Sequence, residues 1–326
     1  MRAIVQERYG AADVLHVARI ERPVMAENEV LVRVHAAGLD RGTWHLTTGR
    51  PYLLRLGFGI RRPKNRVPGL DLAGAVVAAG PAVTRFAAGD EVFGFGKGPF
   101  AEFAVAREDR LARKPVNATL SEASVIPVSA ATALQALRIG RAGRGQKILV
   151  IGASGGVGSY AVQLAKAFGA EVTGVSSTTK LDLVRSLGAD RVIDYTREDF
   201  AKAAARYDLI LDIGGSPSLS RLRRALTPTG TAVIVGGENG GNWTGMSRQL
   251  RAVALSPFVR QRLTMFVAKQ RAGDLEELAG LIDAGSIRPS IDRTFPLDQM
   301  PEAMRYLDAG KVRGKVAIVI QAAAPS

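Results

Sequence analysis

A single stretch, Lys147–Gly158, limits the possible folds of this chain more than any other part of its sequence. It reads KILVIGASGGVG, and residues 147–151 are almost all apolar, as expected of a strand buried on both faces of a parallel sheet. Four glycines then occupy the turn, at Gly152, Gly155, Gly156 and Gly158. Apolar residues recur at helical spacing behind them. Because glycine allows backbone amides to approach a pyrophosphate at a helix N-terminus, the stretch predicts a strand, a phosphate-binding turn and a helix.

After this turn, strand-like and helix-like segments alternate. Strands are predicted at 171–175, 191–194, 208–213, 231–235 and 263–268, and helices at 180–187, 200–206 and 219–226. Repeated strand–helix units predict an α/β fold with a doubly wound parallel sheet, the Rossmann arrangement. Ligands of such sheets bind beyond the carboxyl ends of the strands. The sequence therefore predicts a dinucleotide site at the turn and the later strand ends: Gly152, Ser154, Gly155, Gly156, Val157, Gly158, Gly214, Val235, Gly236 and Gly237.

The 326 residues are too many for one typical core and suggest two domains. Ser121, backed by Glu122, is the expected N-cap of a helical region that continues at 129–139. We expect a β-rich domain at 1–120, a cofactor domain at 121–268 and a tail at 269–326 that packs back on the first domain. The first domain should hold strands at 29–35, 70–79, 91–95 and 101–106 and little helix. The tail should hold helices at 275–284 and 301–308 and strands at 290–295 and 316–320.

Composition excludes several classes of protein. Cysteine is absent and only three histidines are present, which rules out disulfides and cysteine-based zinc sites and argues against a metal enzyme. No apolar run is long enough to cross a membrane, so we expect a cytoplasmic protein with no membrane partner. The formal net charge is +14, and the stretches 41–66 and 239–273 contain basic but no acidic residues. We interpret them as solvated surface or as groups that attract a phosphorylated cofactor, and their few aromatic residues argue against nucleic acid.

The segment after the second predicted strand of the Rossmann sheet indicates which cofactor is bound. NAD enzymes have an acidic residue about 20 positions past the glycine turn, which accepts a hydrogen bond from the ribose 2′-hydroxyl. Here Ser176, Ser177 and Lys180 stand in that region, and Tyr195 is a candidate wall of the same pocket. Hydroxyl and ammonium groups bind a 2′-phosphate that a carboxylate would repel, so NADPH is favoured over NADH. In the alternative interpretation the two serines cap the next helix and Lys180 is solvated.

Several specific segments occur in a characteristic order, namely VRVHAAGLD, PGLDLAGAV, GDEVFGFG, AATALQAL, GASGGVGSYAVQLAKAFGA, LGADRVIDY and GKVRGKVAIVI. Through them the chain resembles the medium-chain dehydrogenase/reductase superfamily, in particular its zinc-free quinone oxidoreductase branch, over nearly its whole length. The resemblance implies a GroES-like β-barrel as the first domain, completed by the C-terminal tail. It also implies that the nicotinamide lies in the cleft between the domains, and it makes a homodimer an expectation.

The zinc-bearing alcohol dehydrogenases of this superfamily have a cysteine where this chain has Asp40 and a histidine where it has Leu70. The resemblance therefore points to a protein without zinc, in which hydride passes directly from NADPH to a quinone or an α,β-unsaturated ketone. It places Trp44 and Thr132 beside the nicotinamide. Conjugated acceptors need little further help, because the negative charge spreads along the conjugated system.

Tyr52 and His45 are candidate proton donors to the developing enolate, and the alternative is that each is a structural residue. Two other functions stay open at this point. One is a metal-free NADP-dependent alcohol dehydrogenase or carbonyl reductase, because the acceptor pocket cannot be read from the sequence. The other is a non-catalytic NADPH-binding sensor or nucleic-acid-binding protein that uses the basic stretches.

Overall fold

The computed structural model describes residues 1–202, 205–236 and 247–320. The chain divides into two compact units. The first contains Met1–Ala131, Gln270–Gly285 and the described residues from Pro289 onward, and the second contains the described residues of Thr132–Lys269 together with Ser286–Arg288. The second unit therefore begins at Thr132, whereas the sequence analysis placed the boundary before residue 121.

The strands of the described residues are β1 (Arg2–Val5), β2 (His16–Arg19), β3 (Glu29–Leu39), β4 (Asp71–Ala79), β5 (Glu91–Phe95), β6 (Phe103–Arg107), β7 (Leu111–Arg113), β8 (Lys147–Ile151), β9 (Glu171–Ser176), β10 (Arg191–Asp194), β11 (Tyr207–Asp212), β12 (Leu226–Ile234), β13 (Arg262–Met265), β14 (Ile291–Pro296) and β15 (Lys315–Val319). The helices are α1 (Arg41–Thr48), α2 (Arg55–Phe58), α3 (Leu120–Ala123), α4 (Pro127–Ile139), α5 (Gly156–Ala167), α6 (Leu181–Ser186), α7 (Leu219–Ala225), α8 (Ser247–Leu255), α9 (Ala272–Asp283) and α10 (Met300–Asp308). Short 3-10 helices lie at Ala12–Val14, Tyr52–Leu54, Glu108–Arg110, Thr178–Lys180, Ser256–Phe258 and Leu297–Gln299.

The first unit is built around a seven-stranded sheet in the order β14-β15-β3-β4-β5-β7, with β6 paired to β3. The long central strand β3 alternates as its sequence predicts, because Val30, Val32 and Val34 are fully buried. They pack in one core cluster with Leu72 and neighbouring apolar residues. Strand β15 lies between β14 and β3, so a C-terminal segment completes the sheet that the N-terminal segments begin.

The second unit contains a six-stranded parallel sheet in the order β10-β9-β8-β11-β12-β13. The chain starts at β8 in the middle, runs outward through β9 and β10, and then crosses to β11 on the other side of β8. This confirms the predicted doubly wound parallel sheet. The order reverses between β8 and β11, and the glycine turn therefore follows the strand at which ligands of such sheets bind.

Three local expectations are wrong. Helix α1 was not predicted, because the segment RGTWHLTT shows no helical periodicity of apolar residues. The helix begins after Asp40, whose Oδ1 accepts a hydrogen bond from Thr43 N at 2.8 Å, and ends at Gly49 in the left-handed conformation. The N-cap of α3 is Thr119 rather than Ser121, because Thr119 and Glu122 form a reciprocal capping box.

The helix predicted at 200–206 is the third error, since residues 200–202 form turns and 205–206 are irregular, with the two residues between outside the described chain. In the part of the chain that the structure describes, no helix combines the length and apolar character that crossing a bilayer requires.

Candidate functional site

The glycine turn after β8 is shaped by two close backbone approaches. Gly152 has φ of +85°, and a Cβ there would lie 2.6 Å from the backbone nitrogen of Gly214 in the neighbouring turn. A Cβ on Gly158, in the first turn of α5, would lie only 2.0 Å from the carbonyl oxygen of Gly152. Both glycines are therefore required by the packing of the chain on itself.

Gly155 differs from these two glycines. It is the N-cap of α5, has φ of −84° and makes no side-chain cap hydrogen bond. A Cβ built there would meet only the carbonyl oxygen of Gly152, at an ordinary 3.5 Å. The space above Gly155 is thus left open at the N-terminus of a twelve-residue helix, where backbone amides and the helix dipole favour an anion. Gly156 and Val157 are the first two residues of that helix. This arrangement fits the pyrophosphate of a dinucleotide.

A buried pair of hydroxyls joins the turn to the next strand. Ser176 Oγ, at the end of β9, donates to Ser154 Oγ in the turn at 2.7 Å, and both side chains are buried. The sequence analysis placed both in the cofactor site, and the structure brings them into direct contact. Each hydroxyl has a further lone pair or proton with which to bind a ligand group.

The side chains after β9 do not cap a helix. Ser177 precedes the 3-10 helix Thr178–Lys180 without a side-chain cap bond, and the start of α6 has none either. Lys180 is half-buried, and its backbone nitrogen donates to Ser177 O at 3.0 Å. Tyr195 N donates to Ser176 O at 3.1 Å, and the Tyr195 side chain is 62% exposed. The alternative of side-chain capping by these serines is therefore not observed.

A carboxylate that the sequence analysis missed stands at the end of β10. Asp194 pairs with Ser176 in the sheet register and is buried. Its oxygens accept hydrogen bonds from Thr178 Oγ1 and from Thr196 Oγ1, the latter at 2.7 Å. These hydroxyls hold the pKa of Asp194 below its usual range, so the group is ionised. The sequence analysis named Tyr195 after this strand but not the carboxylate directly before it, although the Asp-Tyr-Thr sequence at the strand end was the available signal.

An ion pair with a buried carboxylate, which the sequence analysis also missed, lies at the end of β11. Asp212 is fully buried, and Arg248 on α8 contacts its Oδ2. The same guanidinium donates to the carbonyl oxygens of Pro217 at 3.2 Å, Gly236 at 3.4 Å and Gly215 at 3.5 Å. One arginine thus ties together the segments that follow β11 and β12. Burial raises the pKa of Asp212 to about 6, although Arg248 partly opposes that rise.

The predicted residues at these strand ends occupy the same edge of the sheet. Gly214 N donates to the carbonyl oxygen of Ile151 at 3.1 Å, which joins the turns after β8 and β11. Val235 N and Gly236 N both donate to the carbonyl oxygen of Asp212, at 2.9 and 3.2 Å. Gly237 lies outside the described residues. The backbone of Val235 and Gly236 is therefore held by hydrogen bonds to the Asp212 carbonyl oxygen and from the Arg248 guanidinium.

Three of the remaining candidate residues belong to the first unit. Trp44 on α1 packs against a core cluster of that unit and lines a cavity of about 140 Å³ with Met304 of α10. His45 Nδ1 lies 2.6 Å from the carbonyl oxygen of Arg50, an acceptor, so Nδ1 carries the proton. Tyr52 is half-buried at the start of a 3-10 helix. Thr132, half-buried on α4, is the first residue of the second unit.

A buried lysine stands beside Asp40, the position at which the resemblance described above implies a cysteine ligand in zinc-bearing proteins. Lys315 Nζ donates to Ser129 Oγ at 2.9 Å and lies 3.7 Å from Asp71 Oδ2 and 4.0 Å from Asp40 Oδ2. Asp71 Oδ1 accepts from Val128 N at 2.9 Å, and burial raises the pKa of Asp71 well above its usual range. The cluster joins β15, β4, α1 and α4. No local sequence pattern connects the two aspartates with Lys315.

These residues do not suit a zinc ion. Within the described residues, no group of three His, Asp or Glu side chains is arranged to hold a metal. The donors beside Asp40 include neither cysteine nor histidine, and the Lys315 ammonium already supplies a positive charge there.

Comparison with known proteins bears on this site. Residues 26–116 match the family profile described as "Alcohol dehydrogenase GroES-like domain", and residues 187–318 match the one described as "Zinc-binding dehydrogenase". The mouse (Mus musculus) protein "NAD(P)H oxidoreductase RTN4IP1, mitochondrial" is 33% identical over 98% of this chain and 89% of its own length.

Two further similarities cover almost the whole chain. The "NADPH-dependent alkenal/one oxidoreductase, chloroplastic" of Arabidopsis thaliana is also 33% identical, over 98% of this chain and 79% of its own length. The solved structure of the quinone oxidoreductase from Coxiella burnetii superposes with a TM-score of 0.86 at 26% identity, over 98% of this chain and 99% of that one.

Proposed function

The chain belongs to the medium-chain dehydrogenase/reductase superfamily, in its quinone oxidoreductase-like branch, and from this premise we propose that it is a zinc-independent, NADPH-dependent reductase of quinones or α,β-unsaturated ketones. The observation that carries the proposal is the open space above Gly155 at the N-terminus of α5. The names of the two relatives support a nicotinamide-dependent oxidoreductase, and that of the Arabidopsis protein supports NADPH and an enone acceptor.

In this proposal the second unit holds the cofactor. The turn from Gly152 to Gly158 receives the pyrophosphate, and the ends of β11 and β12, at Gly214, Val235 and Gly236, flank the nicotinamide half. Ser177 and Lys180 bind the 2′-phosphate beside Tyr195, while Ser176 acts mainly by holding Ser154 in the turn.

The ionised Asp194 limits how strict the choice of cofactor is. A carboxylate is the group that accepts a hydrogen bond from a free ribose 2′-hydroxyl, and it repels a 2′-phosphate. Its two threonine partners share part of its charge. We therefore expect a preference for NADPH with measurable activity on NADH, rather than exclusion of NADH.

Bound NADPH supplies the hydride, and the residues of this chain position it and the acceptor. Trp44 and Thr132 are proposed to contact the nicotinamide. Tyr52 is the better candidate for a proton donor, because its phenol hydroxyl is a hydrogen-bond donor. In neutral His45 the ring proton is used on the Arg50 carbonyl, so His45 donates from Nε2 only when the ring is protonated.

Zinc independence rests on the chemistry of the side chains present. The positions of the cysteine and histidine ligands are held by Asp40 and Leu70, and the chain has no cysteine at all. A cytoplasmic location and a homodimer stay predictions, and both named relatives carry organellar names.

Steady-state NADPH oxidation with a panel of quinones and enones, before and after dialysis against a chelator, tests the proposal. We expect turnover with at least one acceptor and an unchanged rate after dialysis. Absence of turnover with every acceptor refutes the reductase assignment. A rate lost on chelation and restored by zinc refutes zinc independence. Activity confined to saturated ketones, or to NADP⁺ with alcohols, would instead establish the metal-free alcohol dehydrogenase.

A further inference from the structure

The segment Arg50–Lys64 of the first unit, here called the basic apolar loop, exposes several large apolar side chains. Leu53 and Phe58 are each 48% exposed, Leu56 is 67% exposed and Ile60 is 69% exposed. Scattered single apolar residues are normal on a protein surface, but four within eight positions of the chain form a patch. The loop therefore presents an apolar surface that its own fold does not cover.

The exposure is imposed by an ordered backbone. Arg55 Nε donates to the carbonyl oxygen of Gly49 at 3.0 Å, and its guanidinium lies 4.5 Å from the ring centre of Tyr9 and 4.7 Å from that of Tyr52. Tyr9 Oη donates to the carbonyl oxygen of Gly59 at 2.6 Å. These contacts fix both ends of α2, which carries two of the four exposed apolar residues. The loop is thus held in the shape that presents them.

The charge of the loop is uncompensated. Arg50, Arg61, Arg62 and Lys64 are exposed, and within the described residues none of them forms an ion pair. The sequence contains no acidic residue between Asp40 and Asp71. Positive groups therefore flank the apolar patch on both sides along the chain.

The basic residues that border the loop behave differently. Arg41 pairs with Asp308, and Arg66 pairs with Glu7. Within residues 41–66, the exposed basic side chains without an ion pair in the described residues are thus the ones that flank the apolar patch. The sequence analysis interpreted residues 41–66 mainly as solvated surface. A solvated surface explains the exposed basic groups but not the large apolar side chains exposed beside them.

We propose that the basic apolar loop docks this protein on the surface of an anionic lipid bilayer. Apolar side chains that enter the headgroup region, flanked by cations at the level of the phosphates, are the chemistry of interfacial binding. Three of the four exposed apolar residues are aliphatic, whereas a single-stranded nucleic acid is bound by stacking on aromatic rings. Docking uses the loop surface only.

Flotation of the full chain with lipid vesicles at physiological salt tests this proposal. Vesicles of phosphatidylcholine alone are compared with vesicles containing about a third phosphatidylserine. Each basic side chain near an anionic surface is worth roughly a fivefold change in partitioning. The variant Arg61→Gln/Arg62→Gln/Lys64→Gln should therefore bind anionic vesicles roughly a hundredfold less tightly. Leu56→Ser/Ile60→Ser should weaken binding to the same vesicles at unchanged net charge.

Matched controls separate the loop from the overall charge of +14. Arg19→Gln/Arg185→Gln/Lys311→Gln removes three exposed charges elsewhere, and Val24→Ser/Val116→Ser removes two exposed apolar side chains elsewhere. Both controls should bind like the unmodified chain, and circular dichroism melting should show all variants folded.

Three results overturn the proposal: no binding of the unmodified chain to anionic vesicles, equal losses in the controls and the loop variants, or loop-dependent binding of RNA or of an acidic protein without vesicle binding.

Discussion

Replacing Arg248 by Met tests whether the ends of β11 and β12 depend on one partly buried guanidinium. The change removes the partner of Asp212 and the donors to the carbonyl oxygens of Gly215, Pro217 and Gly236. Methionine is unbranched and apolar, so it keeps much of the side-chain packing. The variant therefore isolates the charge and the hydrogen bonds.

Part of the expected stability loss in Arg248→Met comes from the titration of Asp212. Its pKa in the folded protein is about 6, above the 3.8 of an exposed Asp, so the folded state binds the proton more tightly than the unfolded state. The protein therefore loses about 3 kcal/mol of stability from this group as the pH rises from 4 to 6, and nothing more above that. Without Arg248 the pKa rises further, and at pH 7 Asp212 takes up a proton. The added cost of protonating it at pH 7 is at most about 1.4 kcal/mol, one pKa unit.

The lost hydrogen bonds set the other part. The three carbonyl contacts are long and contribute on the order of 1–2 kcal/mol together. We therefore expect a loss of roughly 3 kcal/mol in the free energy of unfolding at pH 7. At pH 5, where Asp212 is already protonated in the unmodified chain, the loss should shrink to about 1–2 kcal/mol.

Urea unfolding at pH 5 and pH 7 measures these values, with Arg251→Met as the control on the exposed face of the same helix. NADPH binding, followed by fluorescence, should weaken about tenfold in Arg248→Met, because the loops that carry Gly214 and Gly236 lose a shared anchor. An equal stability loss at pH 5 and pH 7, or an equal loss in Arg251→Met, would contradict these expectations.

Three further predictions follow from the site. Gly155→Ala should change the free energy of unfolding in urea by less than about 1 kcal/mol but weaken NADPH binding at least roughly tenfold. Gly158→Ala should instead destabilise the fold, because its Cβ would meet the carbonyl oxygen of Gly152. Normal NADPH affinity in Gly155→Ala would show that no phosphate approaches Gly155. Lys315→Met should lower stability by about 3–5 kcal/mol, because it leaves Asp71 and Asp40 buried without their positive partner. A Tm equal to that of the control Lys311→Met would contradict this. Lys180→Ala should raise the Kd for NADPH about tenfold and leave that for NADH unchanged, and equal losses would exclude Lys180 as a phosphate ligand.

The second unit was predictable because its local signals and its topology agree. Apolar runs, glycine turns and alternation each indicate the same parallel sheet, and five of its six strands lie within a few residues of the predicted bounds, including Arg191–Asp194 without change. β12 starts earlier than predicted, at Leu226, and so continues directly from α7. Helix α1 was missed for the opposite reason, since it depends on a cap and a left-handed glycine rather than on an apolar period.

The candidate site was predictable only where backbone geometry defines it. Glycines can be recognised as site residues in the sequence, because few other residues tolerate a positive φ or leave room for another backbone segment at the Cβ position. Asp212 and Arg248 are 36 positions apart, and Lys315 is 186 positions from Ser129, so no local pattern links either set. These contacts form only when distant parts of the chain fold together. Their energetic importance depends on burial, which cannot be read from a single sequence.

The position of β15 has a consequence for how the protein is made on the ribosome. β15 pairs with β3, and it carries the lysine that lies between Asp40 and Asp71. The strands of the second unit are all synthesised before residue 315 emerges, so that unit can mature while the first still lacks a strand and a counter-ion. During that interval Asp40 and Asp71 lack their lysine, and residues 36–39 of β3 lack the strand that pairs with them. The first unit therefore stays open to misfolding until β15 has been synthesised.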